Sequence, residues 1–448
     1  MSTEFPLLSG FEPSATVSWS GGEPISAARF CAAATQLAAV LPRRRYVLNV
    51  CEDRLNFMLG FAAALIAQQV SLLPYSKAPG VVRDLCVSHP DSYFLADSGD
   101  LPAGLPAFIV PPWCALEGAA AVPQLPSDLD ALVAFTSGST GRPQAHSKTW
   151  GSLVSDARSL YSDLGMAGND ACCVLGTVPP QHVYGLETTV MLPLQNGASV
   201  HSGIPLLPAD VTTALAGMPA NRWLATTPLH LRACVADRAS LPGLAGIVCA
   251  TMPLSVELVR EAEQMWAAPV QEIYGCTEAG AVAVRRLART ERWHVRFGMR
   301  LQQKGPDTWV EGGHLPHPMR LPDHIELNSD TEFTFLGRPG DMAKIAGKRV
   351  SLEALNHELQ RVPGVRDGVF FVPDDCPPGE ARLAALVVAP ELDAGAILRA
   401  LRERIDSVFL PRPLLIVDAL PRGATGKIPR EGLLALAEAA QARSRRSA

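Results

Sequence analysis

Short apolar runs rich in Val, Ile and Leu alternate along this chain with longer segments of helical pattern, and this alternation restricts the fold most. Arg45-Tyr46-Val47-Leu48-Asn49-Val50 reads as a strand, followed by a helical pattern from about Phe57 to Gln68. Ala131-Leu132-Val133-Ala134-Phe135 reads as another strand and runs straight into a loop of Gly, Ser and Thr. Leu244-Ala245-Gly246-Ile247-Val248-Cys249 repeats the theme before a helical pattern from about Ser255 to Trp266. Strands covered by helices on both faces read as continuous apolar runs, so these segments predict an α/β fold built on parallel or mixed sheets.

A chain of 448 residues is too long for one compact core. Gly337-Arg338-Pro339-Gly340-Asp341 follows the strand-like Glu332 to Leu336 and makes the best boundary. Beyond it lie a helical pattern near 352–360, strands near 368–372 and 383–388, a helix near 394–404 and a strand near 414–417. The expected organisation is a large N-terminal domain over 1–337, a hinge at 338–341 and a small, mobile C-terminal α+β domain over 342–448.

The formal net charge of -5 offers no electrostatic attraction to nucleic acid or to an anionic membrane. The 10 cysteines are scattered without a C-x-x-C pair, which disfavours a zinc site or a disulfide framework and points to a reducing, cytoplasmic setting. The opening residues lack the basic start and apolar run of a signal peptide. The longest apolar stretch, Phe57 to Ala67, is too short to insert across a bilayer.

The strongest local signal is Thr136-Ser137-Gly138-Ser139-Thr140-Gly141-Arg142-Pro143. Glycines let several backbone N–H groups turn toward one anion, and hydroxyls add donors that re-aim as a phosphate moves. It lacks the G-x-x-x-x-G-K-[ST] spacing of a P-loop. Three further stretches accompany it: Tyr274-Gly275-Cys276-Thr277-Glu278, Gly337-Arg338 through Lys344 and Gly347, and Pro421 through Gly426-Lys427 to Arg430. In type and order these four resemble the adenylate-forming superfamily of acyl- and aryl-CoA synthetases, peptide-synthetase adenylation domains and luciferases.

The resemblance implies ATP and Mg²⁺ as reactants, and CoA or phosphopantetheine as thiol acceptor. It implies phosphate binding by Thr136, Ser137, Gly138, Ser139, Thr140 and Gly141, with Thr277 on the α-phosphate. Glu278 would hold the metal, and Tyr274 with Gly275 would line the adenine site together with Thr251 of Cys249-Ala250-Thr251-Met252-Pro253. Asp323 and Arg338 would bind the ribose, and His182 would stand at the mouth of the acyl pocket. Lys427 would be the catalytic lysine of adenylation. Rotation at Gly340 would bring the hairpin at Gly347 to the thiol tunnel. The chemistry suits these types, because a carboxylate attacking an α-phosphate needs charge neutralised and groups held in line.

The chain departs from the pattern at Gln144, where the family has Lys; Lys148, one helical turn further on, is the candidate to supply that charge. The region around Gly312-Gly313-His314 is rewritten. Compactness, with the segments 146–150 and 179–186, resembles stand-alone aryl-acid AMP ligases of aryl-polyene and xanthomonadin-type pigment pathways. These load a hydroxybenzoate on an acyl carrier protein. An acyl- or aryl-CoA synthetase using free CoA and a degenerate AMP- or ATP-binding regulatory protein stand as alternatives.

Overall fold

The computed structural model describes residues 3–74, 79–98, 106–136, 144–168, 172–305, 307–337, 342–345, 348–373, 382–423 and 428–446. They form two compact units. The first comprises Met1–Gln302, Trp309–Met319 and Ser329–Glu332, and the second Gln303–Thr308, Arg320–Asn328 and Phe333–Ala448. The α/β expectation holds. Among the described residues no helix is long and apolar enough to cross a membrane.

The first unit carries two large sheets. In one, the strand order is Gln144–Thr149, Asp130–Thr136, Val70–Leu73, Tyr46–Asn49, Ser92–Ala96, Ala107–Ile109. All pairs are parallel except the first, which is antiparallel. Helix Arg54–Ile66 starts where the Asp53 side chain accepts from Asn56 N at 3.0 Å, capping an otherwise orphaned donor. It is buried nearly all round because it lies directly on this sheet. A Cβ on Gly60 would come within 2.5 Å of Leu95 Cδ2 and 2.8 Å of Asn49 Nδ2. Phe57 and Phe61 are buried there, each contributing about 1.5–3 kcal/mol.

The other sheet runs Ser199–Val200, Cys173–Gly176, Arg222–Thr226, Leu244–Cys249, Val270–Cys276, Gly280–Arg285, Trp293–Val295 within this unit. The first five strands are parallel, and the last two join antiparallel. The parallel strands therefore all end on one edge, where open α/β sheets bind ligands.

The second unit has its own core, with Leu355, Leu359, Phe370, Val387, Ile397 and Leu401 buried together. It contains a hairpin of Met342–Ile345 with Lys348–Ser351, and helix Leu352–Gln360. A sheet of Asp367–Phe371, Ala384–Val388 and Leu414–Ile416 follows, with helices Ala394–Arg402 and Arg430–Arg446. Asp393 caps the first of these helices by accepting from Ala396 N at 2.7 Å.

Candidate active site

Tyr274 and Gly275 lie at the end of strand Val270–Cys276, which turns back at once into Gly280–Arg285 with Cys276 opposite Gly280. Thr277, Glu278 and Ala279 are the turn. Its tightness explains the glycines on either side. A Cβ on Gly275 would sit 2.4 Å from Gly280 O, and Gly280 has φ +72°, a region open to glycine at little cost.

The Tyr274 ring is buried, with its centroid 5.6 Å from that of Trp293. The Arg285 guanidinium lies 4.2 Å over Trp293 and its Nε is 2.7 Å from Glu272 Oε2. Glu272 Oε1 in turn accepts from Leu254 N at 3.4 Å. One chain of contacts thus ties Tyr274 to the loop containing Thr251. Thr251 holds φ +82°, which for a β-branched residue costs roughly 1–3 kcal/mol and is found mainly where function over-determines the backbone.

Strand Gln144–Thr149 pairs with Asp130–Thr136, so Thr136 stands opposite Gln144 at the base of the Gly/Ser/Thr loop. Here the helical placement of Lys148 is corrected: His146 and Lys148 are on a strand, and the two-residue period puts both on one face. Gln144, Ala145 and Ser147 are exposed, His146 is half-buried and Lys148 is 7% exposed. His146 Nε2 lies 3.2 Å from Thr136 Oγ1 and 3.6 Å from Glu278 Oε1. Burial holds the imidazole below its ordinary pKa, partly offset by Glu278. Lys148 Nζ donates to the backbone carbonyl of Glu278 at 3.0 Å. Sequence reading missed His146; the alternation His146-Ser147-Lys148 after a strand and loop was the available signal.

His182 is half-buried and precedes the short helix Val183–Leu186. A Cβ on Gly185 would fall 2.0 Å from Pro179 O, so the Pro179–His182 loop folds tightly over that helix. Tyr184 OH reaches Thr226 O at 3.0 Å and Val248 O at 2.9 Å, with burial raising its pKa well above the ordinary value. Thr177 Oγ1 lies 2.8 Å from Thr226 Oγ1 and 2.9 Å from His230 Nδ1, whose pKa burial lowers. Three parallel strand ends are thereby tied by neutral polar groups.

Asp323 is 5% exposed and belongs to the second unit. Ser137, Gly138, Ser139, Thr140, Gly141, Arg338, Gly340, Gly347 and Lys427 lie outside the described residues. The described site therefore brings together Thr136, Lys148, Thr277 and Glu278, with His146 added.

Residues 19–301, more than half of the chain, match the family described as AMP-binding enzyme. The chain belongs to that family. It is 30% identical over 297 residues to the 4-coumarate--CoA ligase of Rhodobacter capsulatus, covering 65% of this chain and 73% of that protein. It is 27% identical over 348 residues to the probable 2-succinylbenzoate--CoA ligase of Mycobacterium tuberculosis, covering 71% and 88%. In fold it is similar to the O-succinylbenzoate coenzyme A synthetase MenE of Bacillus subtilis in complex with AMP. The TM-score is 0.80 at 18% identity, with 96% of this chain and 98% of that one covered. Membership of this AMP-binding family, with its acid–CoA ligases, makes the chain an adenylate-forming acid–thiol ligase that activates a carboxylic acid with ATP as acyl-AMP.

Proposed function

We propose that the acid is a small aryl acid of the hydroxybenzoate type, and that the acyl group passes from AMP to the phosphopantetheine thiol of an acyl carrier protein. The observation that carries the aryl reading is the set of neutral polar groups at the acyl-side strand ends. Thr177, Tyr184, Thr226 and His230 bond to one another and to strand carbonyls, and so form a fixed, uncharged layer compatible with a neutral flat ring. The substrates named for the two relatives, 4-coumarate and 2-succinylbenzoate, are also acids attached to an aromatic ring.

In this reading Tyr274, Gly275 and Thr251 take the adenine, Asp323 and Arg338 the ribose, and Thr136 through Gly141 the phosphates. Thr277 donates to the α-phosphate. Lys427 bridges the attacking carboxylate and the α-phosphate, with His182 at the mouth of the acyl pocket. The small domain over 342–448 turns about 338–341, with Gly340 as swivel, and presents Gly347 to the thiol.

The donor set at Glu278 fits magnesium. Its side chain is 24% exposed, and among the described residues no three ligating side chains converge. One carboxylate with phosphate oxygens is how magnesium is held beside a nucleotide, where it neutralises developing charge. Glu278 would be that carboxylate.

The test is pyrophosphate release from ATP across 3- and 4-hydroxybenzoate, benzoate, cinnamates and fatty acids, followed by CoA or holo carrier protein. Release with hydroxybenzoates and transfer to the carrier alone is the expected result. The second reading, free CoA as acceptor, is favoured by the names of the relatives. Transfer to CoA, or release with fatty acids only, would replace the first. Lys427→Ala should lose most adenylation while keeping part of the transfer from supplied acyl-AMP.

A further inference from the structure

Beneath the Thr277–Ala279 turn lies a group of buried ionisable side chains that the reading above does not use. Lys148, Asp156, Glu187, Arg296 and His314 come from five separate segments, and each is at most 7% exposed. Three of them take consecutive parts of one backbone. Lys148 Nζ donates to Glu278 O at 3.0 Å, His314 Nε2 to Ala279 O at 2.6 Å, and an Arg296 N–H to Ala281 O at 2.9 Å. Arg296 is itself fixed. It pairs with the Asp156 carboxylate, donates to Asp156 O at 2.7 Å and Ser159 Oγ at 2.5 Å, and sits 2.9 Å from Asp163 Oδ2.

The fit is close. A Cβ on Gly280 would meet Glu187 Oε1 at 2.8 Å and His314 Nε2 at 3.3 Å. Burial, then the neighbouring Asp156, hold Glu187 well above the usual carboxylate range. Glu187 Oε1 has no hydrogen-bond partner, and His314 Nδ1 faces only the Asp156 carboxylate, 3.3 Å away. A cluster retained for stability alone would replace such groups with apolar ones, because buried unpaired polar atoms and charges cost more than they return. The arrangement is better explained by what it holds.

We propose that Lys148, His314 and Arg296 are positioning residues that pin the carbonyls of residues 278, 279 and 281 and so aim the Glu278 carboxylate and the Thr277 hydroxyl. Lys148 thereby acts through the backbone of the turn, not as a substitute for the lysine missing at Gln144. The inference rests on the reading of Glu278 as the metal-holding carboxylate. The physical logic is that of any outer shell: a carboxylate on a three-residue turn can point several ways, and tying the turn's acceptors to buried donors leaves one.

The experiment compares Lys148→Met, Lys148→Arg, His314→Gln and Glu278→Gln with the parent. ATP binding is measured by calorimetry with and without Mg²⁺ and with no carboxylic acid present, alongside thermal unfolding and the Mg²⁺ dependence of pyrophosphate release. In Lys148→Met and His314→Gln, the strengthening of ATP binding by Mg²⁺ should fall roughly 10-fold or more, and in His314→Gln metal-free ATP binding should stay within about twofold. Lys148→Arg, which keeps a buried donor and charge, should recover part of the loss. It also serves if Lys148→Met does not fold. If Glu278→Gln abolishes the Mg²⁺ effect while folded Lys148 and His314 variants keep it in full, the positioning role is overturned and the reading of Glu278 stands. If Glu278→Gln itself keeps the Mg²⁺ effect, the reading of Glu278 fails and the positioning proposal falls with it.

Discussion

The two loops that frame the site in the first unit are held by different chemistry. The Thr277–Ala279 turn hangs from an ammonium, an imidazole and a guanidinium, and the guanidinium is matched by Asp156 and Asp163. The 177–182 loop hangs from Arg54, which donates to Gly176 O at 2.7 Å and to Val178 O at 3.2 Å and contacts the Thr189 hydroxyl. Gln181 Nε2 adds a bond to Cys51 O at 2.7 Å. All of Arg54's hydrogen bonds go to carbonyls and a hydroxyl, and full burial pushes its pKa down to about 9. The supports of the turn are thus compensated by carboxylates within the protein, whereas the 177–182 loop relies on one cation held by carbonyl dipoles, with Asp53 as the nearby carboxylate.

Breaking the nucleotide side should have the largest effect. Glu278→Gln, nearly isosteric, is expected to lower pyrophosphate release about 10²–10³-fold, because it would remove the carboxylate read as holding the metal that neutralises the developing charge. The thermal midpoint should stay close to that of the parent. A variant within tenfold of the parent would erase the contrast between the two loops. Next is Arg54→Met, which strands Gly176 O and Val178 O and leaves the Thr189 hydroxyl with only its bond to Gly185 O. Each stranded buried acceptor costs about 1–3 kcal/mol, reduced by relief of the buried charge, so a net loss of roughly 3 kcal/mol is expected in urea unfolding. No loss would mean that the 177–182 loop is held by its prolines and the Gln181–Cys51 bond without help from Arg54.

A smaller effect is expected for Tyr184→Phe. Removing a hydroxyl that serves two strand-end carbonyls should cost about 1–2 kcal/mol in urea unfolding. It should also change the ranking of acids in the pyrophosphate assay; an unchanged ranking would separate Tyr184 from the acyl pocket.

The smallest effect is on pH dependence. His201 and His230 both titrate below their ordinary value because burial penalises the imidazolium. The unfolded chain therefore takes up protons first as pH falls. Stability from these two is fully present above about pH 6.5 and declines below it. Urea midpoints between pH 7.5 and 5 should fall, and His230→Gln should flatten the fall. A slope unchanged by that substitution would place the titration elsewhere.

Much of this was legible in the sequence. The run Leu244–Cys249 and the pattern 255–266 correspond to strand Leu244–Cys249 and helix Val256–Trp266, because both buried sheet faces demand unbroken apolar residues. The Tyr274–Glu278 motif is local and needs only its own glycines to form its turn. Lys148 was misread as helical because the helix Trp150–Asp163 begins two residues later, and the strand before it is defined by pairing with residues 130–136. The cluster under the turn left a fainter trace. Glu187 is a carboxyl group inside the apolar run Val183 to Leu194, a place where a charge costs heavily unless something compensates it. Asp156, Arg296 and His314 gave none, since their meeting depends on how the sheets close.

Arg296 and Asp156 stand 140 positions apart. During synthesis at about 5–20 residues per second, the aspartate emerges roughly 7 to 28 seconds before the arginine that neutralises it. Until then its carboxylate is best left in water, and helix Trp150–Asp163 cannot complete its packing. A ribosome-bound chain stopped before residue 293 would thus carry every strand of the first sheet, yet stay open at the place where the nucleotide turn is set.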